Sequence, residues 1–417
     1  MKILHVMPYT PVPPTFGGAL RIYHLLKHMA EHHNVTIAAY GNQKDYRLLN
    51  EHFGKQVNNI HLIPPHPWIQ HNRRVGQSYA LLTKQSFSRL ITYTHEMQLL
   101  INRLLEKNEY DIVQLEFAVM GAFQYETDAV TILDAHNVEY DNFRRIGASV
   151  PSFLRRMYYR REYKTFFSEE IKACKKSDAI FATSSRDKSI LDNDVPEIPK
   201  YVIPNGVDTS YFTPADASIE PFSLVFTGMM GYVPNYDGML YFLNEIFPLV
   251  LKKIPGVKLY IVGSQPPKNL LKRASHNIII TGYVEDVRPY MQKASVYVVP
   301  LRMGGGTRLK VVEAMAVNKP IVTTSIGCEG IDVQDGESLL VRDKPSSFAD
   351  AIVELLNDKQ KRERLAACGY EIARTRYDWS IISRRMEECY EEIVHRNKPH
   401  VMRNTNGNTV KRQITVY

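Results

Sequence analysis

Short runs of aliphatic and β-branched residues alternate with longer stretches in which apolar positions recur every three or four residues, starting from the first residues of the chain. Strand and helix in alternation build parallel βαβ units; a sandwich would instead show strands joined by short turns. Lys2–Met7 reads as a strand, Ile22, Leu25, Leu26, Met29 and Ala30 mark one face of a helix, and Val35–Tyr40 reads as the next strand. Ile112–Leu115, Val130–Leu133 and Ala179–Ala182 continue the series, with helical stretches between them that include a basic one over about residues 151–176. At Tyr201-Val202-Ile203-Pro204-Asn205-Gly206-Val207-Asp208 a strand runs into Pro and Asn-Gly, and a polar stretch to Pro221 places a hinge here. A second series follows: Leu224–Thr227, Lys258–Val262, Ile278–Thr281, Val296–Pro300, Ile321–Thr324 and Leu339–Val341.

The fold class expected is α/β, with two Rossmann-like doubly wound parallel sheets facing a central cleft. The domains are expected at residues 1–205 and 206–376. A last helix within 377–395, from about Ser380 to Val394, is expected to pack back on the first domain. The tail 396–417 is polar, basic and without acidic residues, which predicts disorder.

Composition narrows the partners. Four cysteines, Cys174, Cys328, Cys368 and Cys389, lie far apart in neither a metal-ligand nor a disulfide spacing, which fits a reducing, cytoplasmic setting. The N-terminal apolar stretch is too short for a signal peptide, and no apolar run approaches the roughly 20 residues of a spanning helix. A net charge of +8 favours anionic partners. No nucleic-acid-binding module accompanies it, so nucleic acid is not expected. Aromatic and basic residues crowd in Phe143-Arg144-Arg145 and again over Phe153–Arg161. That pattern suits either a solvated helix face or docking on an anionic membrane surface.

The segment Gly304-Gly305-Gly306-Thr307-Arg308-Leu309-Lys310 leads from a strand into a helix. Glycines let backbone amides approach a ligand and a helix start carries positive charge, so the arrangement suits a phosphate. Arg308 and Lys310 in a first helical turn oppose the helix dipole, a conflict that an anion would relieve. Glu313, one turn further, is placed to accept from paired sugar hydroxyls. Gly17-Gly18 after the first strand repeats the device in the other domain, or forms a plain tight turn. His136 and Glu139, after the strand Val130–Leu133, should reach the cleft edge, where an imidazole contacts a phosphate or positions an acceptor hydroxyl. His61, His66 and His71 fall in a Pro-rich loop without ligand spacing, and Asp192-Asn193-Asp194 reads as a turn, so no metal site is expected.

Together with Leu259-Tyr260-Ile261-Val262-Gly263, Gly282-Tyr283-Val284 and Tyr377-Asp378-Trp379, these motifs make the chain, up to about residue 395, resemble glycosyltransferase family 4, the retaining GT-B group. The resemblance implies transfer of a sugar from a nucleotide-diphosphate sugar to a glycan or lipid-linked acceptor without a metal, in cell-surface polysaccharide synthesis. Gly17, Gly18 and Gly228 would then face the donor, Tyr283 and Val284 the base, and Glu313 the ribose. His136 would contact the transferred sugar, and Glu139 the acceptor side. Two departures stand out: Gly305 occupies a position where the family often has a second Glu, and Thr227-Gly228-Met229-Met230 replaces a frequent basic pair. Arg308 and Lys310 are therefore expected to bind the diphosphate, with the amides of Gly304, Gly305, Gly306 and the Thr307 turn holding the donor sugar. A catalytically silent nucleotide-sugar or glycan-binding protein and a nucleotide-sugar epimerase are the alternatives.

Overall fold

The computed structural model describes residues 1–57, 59–65, 73–83, 85–149, 152–215 and 218–402. Two wholly parallel sheets form its frame. The first has the order β3-β2-β1-β4-β5-β6-β7, from β1 (Lys2–Met7), β2 (Asn34–Tyr40), β3 (Asn59–Ile63), β4 (Ile112–Glu116), β5 (Val130–Ala135), β6 (Ala179–Ala182) and β7 (Lys200–Val202). The second has the order β10-β9-β8-β11-β12-β13, from β8 (Ser223–Thr227), β9 (Lys258–Val262), β10 (Ile278–Gly282), β11 (Val296–Val299), β12 (Ile321–Thr323) and β13 (Leu340–Val341).

Helices cover both faces of the first sheet, which is why its central strands β4 and β5 are buried along their whole length. Ile3 and Leu4, neighbours on β1, point into opposite layers: Ile3 joins Ile22, Leu25, Val35 and Ile132, while Leu4 joins Leu100, Val113, Leu133 and Phe166. The terminal helix, Trp379–Met402, belongs to the first of these layers. Its Ile382, Met386, Tyr390 and Ile393 form one apolar stripe there, the Tyr390 hydroxyl donates to Gln114 Oε1, and Trp379 stacks on His24 at 5.1 Å. The chain thus crosses to the second domain and returns to complete the core of the first.

Four of the sequence expectations need correction. β3 was not foreseen, because Asn59–Ile63 is a short edge strand with only partly buried side chains. His61 lies in that strand rather than in a loop, while His66 and His71 fall outside the described residues. Asp192-Asn193-Asp194 is the last turn of the helix Ser185–Asp194 and not a free turn: Asp192 pairs with Lys188 at 2.7 Å and Lys200 at 3.4 Å, and Asp194 accepts from Tyr140. The terminal helix starts at Trp379 and runs on to Met402, past the expected boundary at 395. The rest of the expected tail, 403–417, falls outside the described residues.

Arg21 fastens the first domain at its centre. On the helix Gly17–His32 and fully buried, it donates from Nε and Nη2 to both oxygens of Asp134 at the end of β5, each at 2.9 Å. Its Nη1 donates to Pro204 O at 3.0 Å and Asn205 Oδ1 at 3.2 Å, at the start of the interdomain connection. Burial pushes the Asp134 carboxyl up, and the Arg21 guanidinium opposes that rise. Removing the cation alone strands a buried acid, so Arg21→Met is expected to cost about 3–5 kcal/mol of stability, most of it recovered in Arg21→Met/Asp134→Leu. Urea denaturation measures both; a single variant within about 1 kcal/mol of wild type would show that the pair is not what holds this region.

Candidate active site

In each sheet the strand order reverses once, between β1 and β4 and between β8 and β11, and the chain leaves such neighbours in opposite directions, opening a crevice above their carboxyl ends. The loops after β1, β4 and β5 therefore meet those after β8 and β11. Gly17, Gly18, His136 and Glu139 come from the first set, and Gly228 with Gly304, Gly305, Gly306, Thr307 and Arg308 from the second.

On the first-domain side, Gly18 faces a tight pocket. A Cβ there would lie 2.4 Å from the Tyr9 hydroxyl, 2.8 Å from Phe117 Cζ and 3.5 Å from His136 Nδ1. Phe117 follows β4 with φ 67°, a backbone conformation that a bulky residue adopts only under constraint, and its ring stacks on His136 at 3.8 Å. His136 Nε2 donates to Glu116 Oε2 at 2.5 Å, and His5 donates to the other oxygen of the same carboxylate. Burial alone would raise the Glu116 pKa; His5 and His136 outweigh it and hold the carboxyl well below the usual range. The imidazole of His136 is thus held by one nitrogen, leaving Nδ1 and the nearby Tyr9 hydroxyl as buried polar atoms without partners. They stand close to a cavity of about 590 Å³ lined largely by apolar side chains, among them Tyr40, Phe87, Ile91 and Phe166, with Glu139 at its wall.

Glu116, Asp134 and His136 lie close enough to hold a cation. Their ligand atoms are engaged within the protein instead: Glu116 accepts from His5, His136 and Gln114, and Asp134 from Arg21.

On the second-domain side, the glycine loop presses against the first domain. Arg145 donates to Gly304 O at 3.0 Å, Thr307 Oγ1 donates to Thr183 O at 2.7 Å, and Asn205 N donates to Thr307 Oγ1 at 3.3 Å. A Cβ on Gly17 would touch Leu309 Cδ1 at 3.2 Å, so the two glycine motifs face each other across one seam. The helix itself is Leu309–Ala316, and Arg308 precedes it. Arg308 is buried; it donates to Gly305 O, to Gly306 O at 3.2 Å and to Ile326 O at 3.2 Å, and its Nη2 lies 3.6 Å from Glu329 Oε2 without a hydrogen bond. Lys310 Nζ donates to Asn235 Oδ1 at 2.6 Å and Thr227 O at 3.0 Å. These carbonyls relieve part of the dipole conflict that the sequence assigned to a missing anion, a correction to that argument. Both cations remain poorly solvated: burial lowers the Arg308 pKa and pushes Lys310 down to about 7, with Glu313 opposing, while burial pushes Glu313 up to about 7.

Tyr283 and Val284 do not join this seam's contacts. They follow β10, the edge strand two places from β8, and Tyr283 is 76% exposed. The basic run Phe143-Arg144-Arg145 also differs from its membrane reading: Phe143 packs on Phe166, Arg144 pairs with Asp141, and Arg145 binds Glu329 and the glycine loop. Sequence reasoning missed Tyr9, Glu116, Phe117, Arg145 and Glu329. Glu116 and Phe117 sit at a strand's carboxyl end beside the switch point, a usable signal; for Arg145 and Glu329 there was none, because each depends on a residue more than a hundred positions away.

Residues 17–211 match the family Glycosyltransferase Family 4, and residues 221–358 match Glycosyl transferases group 1. A 44.6 kDa protein in the cps region of Klebsiella pneumoniae is 24% identical over 290 residues, covering 66% of this chain and 72% of that protein. A phosphatidyl-myo-inositol mannosyltransferase of Mycobacterium leprae is 31% identical over 200 residues, 46% of this chain and 53% of the relative, so the chain spans about half of that protein's length. Among solved structures, Anabaena HepE in complex with UDP superposes with a TM-score of 0.68 at 14% identity, covering 94% of this chain and 100% of that one. Sucrose-phosphate synthase from Thermosynechococcus elongatus gives 0.66 at 15%, covering 95% and 100%. At these identities the likeness establishes the shared two-sheet fold.

Lys310, if it lies at an anion site, sets a pH dependence. A phosphate placed beside it stabilises the ammonium, so binding a nucleoside diphosphate above about pH 7 takes up a proton, and affinity falls by up to about tenfold per pH unit from there until the bound pKa is reached. Below pH 7 the proton is already present and Lys310 contributes no slope. Calorimetry at pH 8 in two buffers of different ionisation enthalpy reads the uptake, which Lys310→Arg, charged throughout, should abolish. Equal uptake in the two proteins would remove Lys310 from the anion site.

Proposed function

The chain belongs to the group 1, family 4 glycosyltransferases, and from that premise we propose that it transfers a hexosyl group from a nucleotide-diphosphate sugar to a glycan or lipid-linked acceptor. Configuration at the anomeric carbon is retained and no metal takes part. The observation that carries this reading is the seam itself, where a glycine loop flanked by two poorly solvated cations faces Gly17, Gly18 and an oriented histidine. Main-chain amides of the loop bind the diphosphate, and Arg308 and Lys310 stabilise the charge that develops on it as the sugar leaves. His136 Nδ1 contacts the transferred sugar, and the acceptor approaches through the cavity beside Glu139. Gly228, whose backbone takes φ 148°, lies against Lys310 on the same wall, Tyr283 and Val284 receive the base, and Glu313 the ribose. The protein chiefly positions the reactants.

The mannosyltransferase relatives support a hexose donor and a lipid-borne acceptor, and the cps-region relative supports a place in cell-surface polysaccharide assembly. A surface feature agrees with a lipid-borne acceptor. At the start of the helix Phe153–Lys176, Phe153, Leu154 and Met157 are 69%, 77% and 57% exposed, interleaved with exposed Arg155, Arg156 and Arg160. The helix Arg73–Leu82, which ends in the exposed Leu82, is tied to the same helix through Arg161, which donates to Ala80 O and Thr83 O. Apolar side chains ringed by arginines suit an anionic bilayer and support a peripheral position at the inner face of the membrane. Among the described residues no helix is long and apolar enough to cross a membrane.

Two measurements test these readings. Arg308→Ala and Lys310→Ala are each expected to lower kcat by about 2–4 kcal/mol of barrier with nucleotide sugar and acceptor, chelator leaving wild-type turnover unchanged. Full activity in the double variant refutes their role, and nucleotide binding without turnover on any donor favours the silent binding protein that Gly305 otherwise suggests. In flotation with phosphatidylglycerol vesicles, the protein should bind, release with rising salt, and lose binding in Phe153→Ser/Leu154→Ser. Equal binding to neutral vesicles would count against the arginines.

A further inference from the structure

Gly305 differs from its neighbours in the loop. Positive φ falls on Gly304 (129°) and Gly306 (67°) but not on Gly305, so backbone conformation does not demand glycine there. Space does. A Cβ on Gly305 would lie 2.4 Å from Asn142 Oδ1, 3.1 Å from its Cγ and 3.2 Å from its Nδ2. The carboxamide of Asn142, a first-domain residue, therefore fills the volume that a side chain at 305 would take in the second.

The helix that carries Asn142, Glu139–Ser149, is pinned on both sides of it. Its first amides, Glu139 N and Tyr140 N, donate to the buried carboxylate of Glu170 at 3.3 and 3.1 Å. The neighbouring Asp141 is gripped by Arg145 at 3.0 Å and by Arg186 and Arg144. Arg145 in turn binds Glu329 at 2.8 Å and the Gly304 carbonyl at 3.0 Å, so the same helix clasps the second domain one turn beyond Asn142. Asn142 also lies against the Glu139 carboxyl, which burial raises and the Asn137 and Asn142 amides lower. The amide thus spans from the donor loop to the acceptor wall.

We propose that Asn142 is a specificity-determining residue for the donor sugar, its carboxamide reaching over Gly305 from the other domain to hydrogen-bond hydroxyls of the sugar held at the loop. This rests on the glycosyl-transfer reading above. A carboxamide offers two donors and an acceptor without charge, which matches paired hydroxyls. A carboxylate at the same point would set a second negative charge beside Glu139 and next to a diphosphate. Because the contact is made across the seam, the sugar is recognised only when the domains are closed.

The test compares, by calorimetry, affinity for a nucleotide sugar with affinity for the matching nucleoside diphosphate, across UDP-glucose, UDP-galactose and GDP-mannose. Asn142→Ala should lower the ratio for the preferred donor by about tenfold and flatten the preference between the glucose and galactose epimers, with diphosphate affinity unchanged. Gly305→Ala should impair nucleotide-sugar binding in the wild-type background and be tolerated beside Asn142→Gly. An unchanged ratio in Asn142→Ala, or equal tolerance of Gly305→Ala in both backgrounds, overturns the assignment. Neither readout needs turnover, so failure of the transferase reading would appear separately, as absence of transfer by the wild-type enzyme.

Discussion

The constraint on which the site depends is the approach of the 304–307 backbone to the first domain. Arg145, Thr183 and Asn205 each hydrogen-bond within this short stretch, and glycine at 305 and 306 removes the side chains that would hold the surfaces apart. Everything proposed for the site depends on that contact. The loop lies against Thr183 and the His136 carbonyl, and the diphosphate site proposed between amides and cations depends on that approach. The terminal helix serves the same end from behind, since its return to the first-domain core fixes the connection at Asn205 and Gly206 against Trp379.

Strand positions were legible in the sequence because parallel strands covered on both faces advertise themselves as apolar runs. Ala179–Ala182 and Lys258–Val262 coincide with the structure, and most others differ by one or two terminal residues. β3 escaped because an edge strand buries too little to leave such a run. Gly18, Gly304 and His136 were visible as residues in strand-following loops. What the sequence could not reveal was their company. The clamp of His136 by Glu116, the pairing of Arg21 with Asp134 and the reach of Arg145 to Glu329 join residues 20, 113 and 184 positions apart, and no local periodicity encodes such a meeting. The Phe143-Arg144-Arg145 run shows the cost of local reading: a basic, aromatic tripeptide looks like a surface, yet the fold turns its third member into an interdomain clasp.

Glu116 gives the first domain a rigid centre. A carboxylate buried beneath two imidazoles is costly to desolvate, and it is tolerated only because each oxygen accepts a short hydrogen bond and Gln114 adds a further one at 2.7 Å. The return is orientation. With Nε2 committed to Glu116 and its ring stacked on Phe117, His136 has no rotational freedom left, and Nδ1 stays aimed toward Gly18 without a ligand to hold it there.

The second domain is arranged in the opposite sense, and the contrast explains how the halves cooperate. Arg308 and Lys310 are kept in surroundings that penalise their charge, held mostly by neutral oxygens of main-chain carbonyls and of Asn235, with Glu329 beside Arg308. Carbonyl dipoles compensate a cation incompletely, and Arg308 Nη2 meets the Glu329 carboxylate only at 3.6 Å, beyond hydrogen-bond distance. In the proposed reaction a diphosphate would add counter-charge to that of Glu329 and Glu313, so its binding would favour the charged form of both cations. That gain would be largest where the bond to the sugar breaks, since negative charge on the diphosphate is greatest as the sugar departs. On this proposal a first domain that orients the sugar and a second domain that takes the phosphate would be complementary, and each would act only while the glycine loop keeps them in contact.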